Sequence, residues 1–436
     1  MQCLSVKELI NKYFKDNADV DSWSEEKRQM YKKEALWTMF SFLKENNPYF
    51  KEAFSEFNWD CMDDFEYDKL PFITKEMLRE SPWLLLSVPK AELSLLHVST
   101  GTTGGKPIYI AQTYDDLYTY DLAPQYKSLF NHYSKDDMVF IALPYEMSSS
   151  GLAFHRVFQC QEKTIVAPVG KGGHYSLPDK TLDMMIDLNV TVILTTPGYA
   201  VLLHEYARKR NINLREVLNL KNIWLTGEGA SDALRKRIEE LWGCKAYTFY
   251  GTLECGSIGM ECSAQNGYHI NQGHVCVEIV DPVTNRVMGP GEIGEVVVTT
   301  YLREGMPLFK YRTQDIGYID DSPCECGVSS PRLFLRGRLG DQICIEGKEY
   351  SPFYFEECLL RNKEVGCWYH LIPHEDFLEI CAEPEEGVEI SKDLEEKIGS
   401  KIEFVTGVPC KFQFVDHIDR SLGKNIRVLQ EDKNDN

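Results

Sequence analysis

The sequence lacks the features that would place it at a membrane or on a nucleic acid. No apolar run approaches the roughly 20 residues that a helical span requires. The opening stretch MQCLSVKELINKYFKD is amphipathic and charged instead of carrying an apolar leader, so a cytoplasmic setting without membrane attachment is expected. Positive charge is scarce, with 47 Lys and Arg against 67 Asp and Glu and a net charge of -20. That balance argues against a nucleic-acid partner, whose phosphates need clustered basic residues, and any anionic ligand has to be held by local donors. Paired Cys-x-x-Cys motifs are missing, as are internal repeats and low-complexity segments apart from the polar tail EDKNDN. The 14 cysteines are scattered, most of them inside apolar stretches such as QICIEG and FLEICAE. Buried free thiols are therefore expected in place of a disulfide framework.

What is present is enough apolar material for more than one core: 436 residues, 43% of them hydrophobic. Residues 1 to about 90 read as helical, because VKELINKYFKD and EEKRQMYKKEALWTMFSFLKEN place apolar residues three and four apart. From about 135 to 255 short apolar strands (MVFIALP, KTIVAPV, VTVILTTP, NIWLTGEG, KAYTFYG) alternate with helices such as GYAVLLHEYARKR and SDALRKRIEELWG. That alternation predicts mostly parallel strands with helices packed on them. The run HVCVEIVDPVTNRVMGPGEIGEVVVTT reads instead as two antiparallel strands. Past GRLGD, segments such as DLEEKIGSKIEF and CKFQFVDHI suit a small independent core. The expected fold class is α/β: a large mixed N-terminal domain with parallel sheets, residues 1–339, and a small α+β domain, residues 340–436, with the boundary near Gly340.

The stretch STGTTGGKP, residues 99–107, raises the question of a phosphate. A Walker loop needs glycine where Thr100 stands and a hydroxyl residue where Pro107 stands, so that reading fails. The composition still suits phosphate oxygens. Glycines let successive N–H groups converge, and Ser99, Thr100, Thr102 and Thr103 add hydroxyl donors. A plain surface turn competes on nearly equal terms when the stretch is taken alone.

Four later stretches change that balance: YGTLE (250–254), YRTQD (311–315), GRLGDQICIEGKEYSPFYFEE (337–357) and SLGKNIRV (421–428). In this order the five resemble the motifs of the adenylate-forming superfamily, the acyl-CoA synthetases and adenylation domains. LPFITKEMLR, GYHIN, REGMPLFKYRTQD and the Cys-Glu-Cys-Gly before the GR motif are similar to signatures of its phenylacetate-CoA ligase branch.

The resemblance implies that ATP activates a carboxylic acid as an acyl-adenylate, releasing pyrophosphate, and that a thiol then takes the acyl group. It implies contacts to the nucleotide from Ser99, Thr100, Gly101, Thr102, Thr103, Gly104 and Lys106, from the turn at Gly227 and Glu228, from Tyr250, Gly251 and Thr252, and from Arg338. Asp315 is implied as the acceptor for the ribose hydroxyls, a task that suits a carboxylate with two oxygens. Glu254 is implied as a ligand of Mg2+, a hard cation that prefers oxygen. Lys424 is implied as the catalytic point charge between carboxylate and α-phosphate, carried on a C-terminal domain that rotates between the half-reactions. Cys262, His269, Cys324 and Cys326 are implied as a structural Zn2+ site of three thiolates and one imidazole, with Cys255 as the alternative ligand.

Tyr145, Ser150, Gly151 and His155 are implied in the acyl pocket, together with Glu146, although Glu146 reads more simply as a structural residue. The branch implies an aromatic acid and coenzyme A as the acceptor. A carrier-protein phosphopantetheine or an amine are the other acceptors, and a decayed nucleotide-binding protein is the non-enzyme alternative. Three positions depart from the pattern. The Gly-rich stretch has one extra residue before Lys106, Leu253 stands where the superfamily has threonine, and Gly340 stands where it commonly has Asp or Lys.

Overall fold

The structure, a computed structural model, describes residues 3–16, 18–99, 105–129, 133–420 and 426–429. These residues gather into two compact units, Met1–Gly170 with Tyr247–Phe334, and Lys171–Ala246 with Leu335–Asn436.

The first unit begins with the amphipathic helices expected there. Val6–Tyr13 is closed by a capping box in which Ser5 and Glu8 satisfy each other's backbone donors, and Glu25–Asn46 starts from the cap of Ser24. Tyr13, Phe14, Trp23 and Tyr31 pack ring against ring at centroid distances of 4.9–5.8 Å, a cluster that anchors the helices to the β-rich body. The strands Leu93–Val98 and Tyr109–Thr113, which flank the Gly-rich stretch in sequence, form an antiparallel pair. Met138–Ile141 and Ile165–Pro168 pair in parallel. Val275–Val280, Gly294–Thr300 and Tyr311–Asp320 run antiparallel, as alternating β-branched residues around a turn predict. Lys245–Thr252 pairs antiparallel with Gly256–Met260, which continues to Tyr268–Ile270 and Arg332–Arg338.

In the second unit the strands Val192–Thr195 and Asn222–Leu225 are parallel and fully buried. The crossover between them contains the helix Pro197–Lys209, opened by Thr196 and a proline in its first turn. The same unit holds the three-stranded sheet Val365–Pro373, Leu378–Pro384 and Cys410–Phe414 with the helices Pro352–Leu360 and Lys392–Thr406. The two parts are stitched through backbone groups. Carboxylates of Glu356 and Glu357 accept from the N–H groups of Ser231 and Ala233, and Arg237 donates to the carbonyls of Leu360, Asn362 and Val365. The chain passes between units at Phe334–Leu335, and residues 335–436 pack with 171–246.

The mixed α/β class is as expected. The burial of the cysteines is not. All 14 are free thiols, but only Cys255, Cys262 and Cys276 are buried, while Cys160 and Cys344 are exposed. Strand alternation is the reason at Cys344: Ile343 and Ile345 turn inward, so the residue between them faces outward. Among the described residues no helix is long and apolar enough to cross a membrane.

Candidate active site

In the first unit the Gly-rich stretch is closed at its base. The Ser99 N–H donates to the Ile108 carbonyl at 2.8 Å, and the Ile108 N–H donates to the Ser99 hydroxyl oxygen at 2.7 Å. Ser99 therefore pins the two ends of the stretch together and keeps one hydroxyl proton to give. Thr100, Gly101, Thr102, Thr103 and Gly104 lie outside the described residues, and Lys106 is exposed.

Two of the motifs meet directly. The Tyr250 hydroxyl donates to Asp315 Oδ2 at 2.6 Å. Burial first, and then the charge of Asp315, push that phenol well above its ordinary range, so it remains a donor. Gln314 adopts φ +64°, an unusual value for a side chain of its kind, and this kink in the strand redirects Asp315. Gly251 has to be glycine: a Cβ there would lie 2.5 Å from the Gly256 carbonyl oxygen. Thr252 Oγ1 accepts from the Cys255 N–H at 3.0 Å and closes the turn that carries Glu254.

Glu254 is buried next to the Tyr311 ring, whose hydroxyl is pushed well above its ordinary range by burial and then by the Glu254 charge. Among the described residues no lysine or arginine forms an ion pair with the Glu254 carboxylate. Arg303 instead donates to the main-chain carbonyls of Glu254 and Cys255.

The acyl candidates share one corner. Tyr145 and His155 approach to 3.4 Å with their rings edge to face, and Ser150 lies 3.2 Å from Ser148, hydroxyl to hydroxyl. Gly151 lets the helix Ser150–Arg156 start against Tyr145, since a Cβ would lie 2.6 Å from the Pro144 carbonyl oxygen. Glu146 follows Tyr145 and is exposed.

The four zinc candidates converge. One ligand atom from each of Cys262, His269, Cys324 and Cys326 lies within 4.8 Å of all the others, and Cys255 is not among them. Cys262 and Cys324 sulfurs are 3.6 Å apart, and His269 Nε2 is 3.3 Å from the Cys326 sulfur. The other ring nitrogen, Nδ1, is 3.0 Å from both the carbonyl and the hydroxyl of Ser330, which aims Nε2 at the sulfurs. Burial lowers His269 to about 4, leaving the neutral imidazole that ligates. Three sulfurs and one nitrogen in a closed cluster fit a structural zinc ion.

In the second unit Gly227 takes φ +83° and leads into Glu228, which forms a buried ion pair with Lys171 at 3.3 Å. Burial lowers the Lys171 ammonium, while the Glu228 charge works the other way. Gly229 follows, packed so closely on Phe353 that a Cβ would overlap the ring. Its carbonyl accepts from Arg427 at 2.7 Å, and Arg427 also pairs with Glu356 at 2.8 Å. Arg338 is half-buried, and its carbonyl accepts from Gln342 at 2.8 Å. Gly340 is exposed, with open space where a Cβ would stand. Lys424 lies outside the described residues. Sequence reasoning did not single out Lys171, Arg303 or Arg427. Arg303 and Arg427 lie within quoted motif stretches, so a search for buried charges near motif carboxylates could have raised them.

The AMP-binding enzyme family model matches residues 74–302, more than half of the chain. The chain belongs to the AMP-binding enzyme family. Members similar to it along most of their length include a phenylacetate-coenzyme A ligase of Thermus thermophilus, 29% identical, with 88% of this chain and 86% of that protein covered. One of Escherichia coli K12 is 26% identical, with 90% and 92% covered. Among solved structures, 2-hydroxyisobutyryl-CoA ligase in its postadenylation state superposes with a TM-score of 0.84 at 20% identity, covering 96% of this chain and 94% of that one, a likeness of fold.

Proposed function

We propose that this family member activates a carboxylic acid with ATP, releasing pyrophosphate, and transfers the acyl group to the thiol of coenzyme A. The observation that carries the reading is the Tyr250–Asp315 hydrogen bond in the same unit as the turn of Glu254, which supports Asp315 as the ribose acceptor and Glu254 as the metal-binding carboxylate. The relatives named phenylacetate-coenzyme A ligase support an aromatic acid and coenzyme A as the substrates.

Each residue then has a task. Asp315, oriented by Tyr250, accepts from the ribose hydroxyls, and Gly227 with Glu228 meets the adenine. Ser99, Lys106 and the residues between them hold phosphate oxygens through N–H and hydroxyl donors. Arg338 grips the nucleotide from the start of the C-terminal segment. Glu254 fits Mg2+ because it offers a hard oxygen donor with which no lysine or arginine among the described residues pairs, and bound magnesium would supply neutralisation of phosphate charge. Lys424 steadies the carboxylate and α-phosphate during attack, then leaves as residues 340–436 turn about Gly340, where no side chain restricts the backbone. Tyr145, Ser150, Gly151 and His155 line the acyl pocket, and the Cys3His cluster holds zinc as a structural brace. The free thiols support a reducing, cytoplasmic setting.

The test is product analysis with Mg-ATP, coenzyme A and a panel of aryl and aliphatic acids. A CoA thioester formed together with AMP supports the proposal; acid-dependent AMP with no thioester would remove the second step from it.

A further inference from the structure

Arg303 lies in the connection between the strands Gly294–Thr300 and Tyr311–Asp320. Its guanidinium is buried, yet its donors go to main-chain oxygens and not to a carboxylate: Nη1 to the Glu254 carbonyl and Nη2 to the Cys255 carbonyl at 3.2 Å. Fixing two successive carbonyls fixes the peptide planes that follow Glu254, and with them the direction in which its side chain leaves the backbone. The turn is held from its other side by the Thr252 hydroxyl on the Cys255 N–H. Gly256 completes the fit at φ +76°, where a Cβ would stand 3.2 Å from Arg303 Nη2.

The connection that carries Arg303 is itself locked. The buried carboxylate of Asp116 accepts from the N–H groups of Glu304 at 2.7 Å and Gly305 at 2.9 Å, and also from the Thr113 N–H at 2.9 Å. Only glycine is compatible at 305, since a Cβ would lie 2.8 Å from Asp116 Oδ2 and 2.9 Å from the Ala111 carbonyl oxygen. A chain of contacts therefore runs from the end of the strand Tyr109–Thr113 through Asp116 and Arg303 to the turn of Glu254.

We propose that Arg303 is the positioning residue of Glu254 and, held by Asp116, sets how tightly the site binds the nucleotide as its magnesium complex. Arg303 touches neither ligand; it acts through the backbone of Glu254. The inference rests on the reading of Glu254 as the metal-binding carboxylate.

The experiment is calorimetric titration of the full chain with ATP, once with magnesium and once with EDTA, for wild type, Glu254→Gln, Arg303→Met and Arg303→Lys. Wild type binds the magnesium complex more tightly, and Glu254→Gln removes that preference. Arg303→Met reduces it about tenfold, as loss of charge-assisted hydrogen bonds predicts, while affinity for metal-free ATP stays close to wild type; Arg303→Lys restores part of it. An undiminished preference in Arg303→Met, with Glu254→Gln having lost it, overturns the inference and leaves the reading of Glu254 standing. A preference that survives Glu254→Gln overturns both. Should Arg303→Met fail to fold, Asp116→Asn tests the same chain of contacts: a reduced preference supports the proposal and a wild-type preference contradicts it.

Discussion

The Tyr250 hydroxyl reaches Asp315 Oδ2 at 2.6 Å, joining two strands whose contacting residues are 65 positions apart. One carboxylate oxygen is thereby fixed by a phenol that stays protonated.

Removing that hydroxyl with Tyr250→Phe keeps the ring but takes this one donor from Asp315. AMP affinity is expected to fall about fivefold to tenfold, the effect of one hydrogen bond to a charged group. Asp315→Asn also loses the charged acceptor and is expected to fall further, by about 100-fold, with both variants melting close to wild type. Equal affinity for AMP in wild type and Asp315→Asn would contradict the ribose role.

The Cys3His cluster predicts one zinc ion per chain by elemental analysis. Cys262→Ser is expected to purify with little zinc and a lower melting temperature, and a chelator is expected to lower the wild-type value but not that of the variant. Cys255→Ser keeps its zinc, because Cys255 lies outside the cluster. Full zinc in Cys262→Ser would remove that residue from the ligand set.

Acid is expected to weaken the fold partly through His97. Burial, followed by Arg156 and Arg303, lowers this histidine to about 4, whereas the unfolded chain takes up its proton near 6.5. The stability contributed by neutral His97 is therefore complete above pH 6.5 and is lost as pH falls towards 4, on the order of 2 kcal/mol between pH 7 and 5. Asp21 works in the opposite sense. Burial raises it to about 6, so its protonated form favours the folded chain as pH falls through that value. Urea midpoints measured from pH 7 to 5 are expected to decline less for His97→Asn than for wild type, and more for Asp21→Asn. Parallel declines in all three would contradict both assignments.

Two arginines that flank Lys424 in sequence are held by carboxylates. Arg420 pairs with Glu205 and Glu383, and Arg427 pairs with Glu356. Lys424→Ala is expected to abolish adenylate formation, by a factor of about 1,000 or more, while thiolysis of a supplied acyl-adenylate continues. Equal loss of the two half-reactions would contradict the role given to Lys424.

Helices and strands were largely legible from periodicity because each buries one face; the alternation from 135 to 255 appears as the strands and helices described above. The packing of residues 335–436 with 171–246 rests on groups such as Arg237, whose donors find carbonyls more than 120 positions away. Cys344 was misread because an apolar neighbourhood in sequence is not an apolar side of a strand. Asp315 and Glu254 were legible only through the order of five motifs, and the zinc quartet through that same resemblance. Arg303 opens the REGMPLFKYRTQD stretch, yet its role was not legible there, because an arginine in a loop reads as solvated until tertiary contacts supply the carbonyls it holds.

The most direct test of adenylation is acid-dependent exchange of labelled pyrophosphate into ATP, run with phenylacetate and a panel of aryl and aliphatic acids. The account predicts exchange that requires both an acid and magnesium, is strongest with an aryl acid, and is lost in Lys424→Ala. Absence of exchange across the panel, from protein that binds ATP and is fully folded, would contradict it.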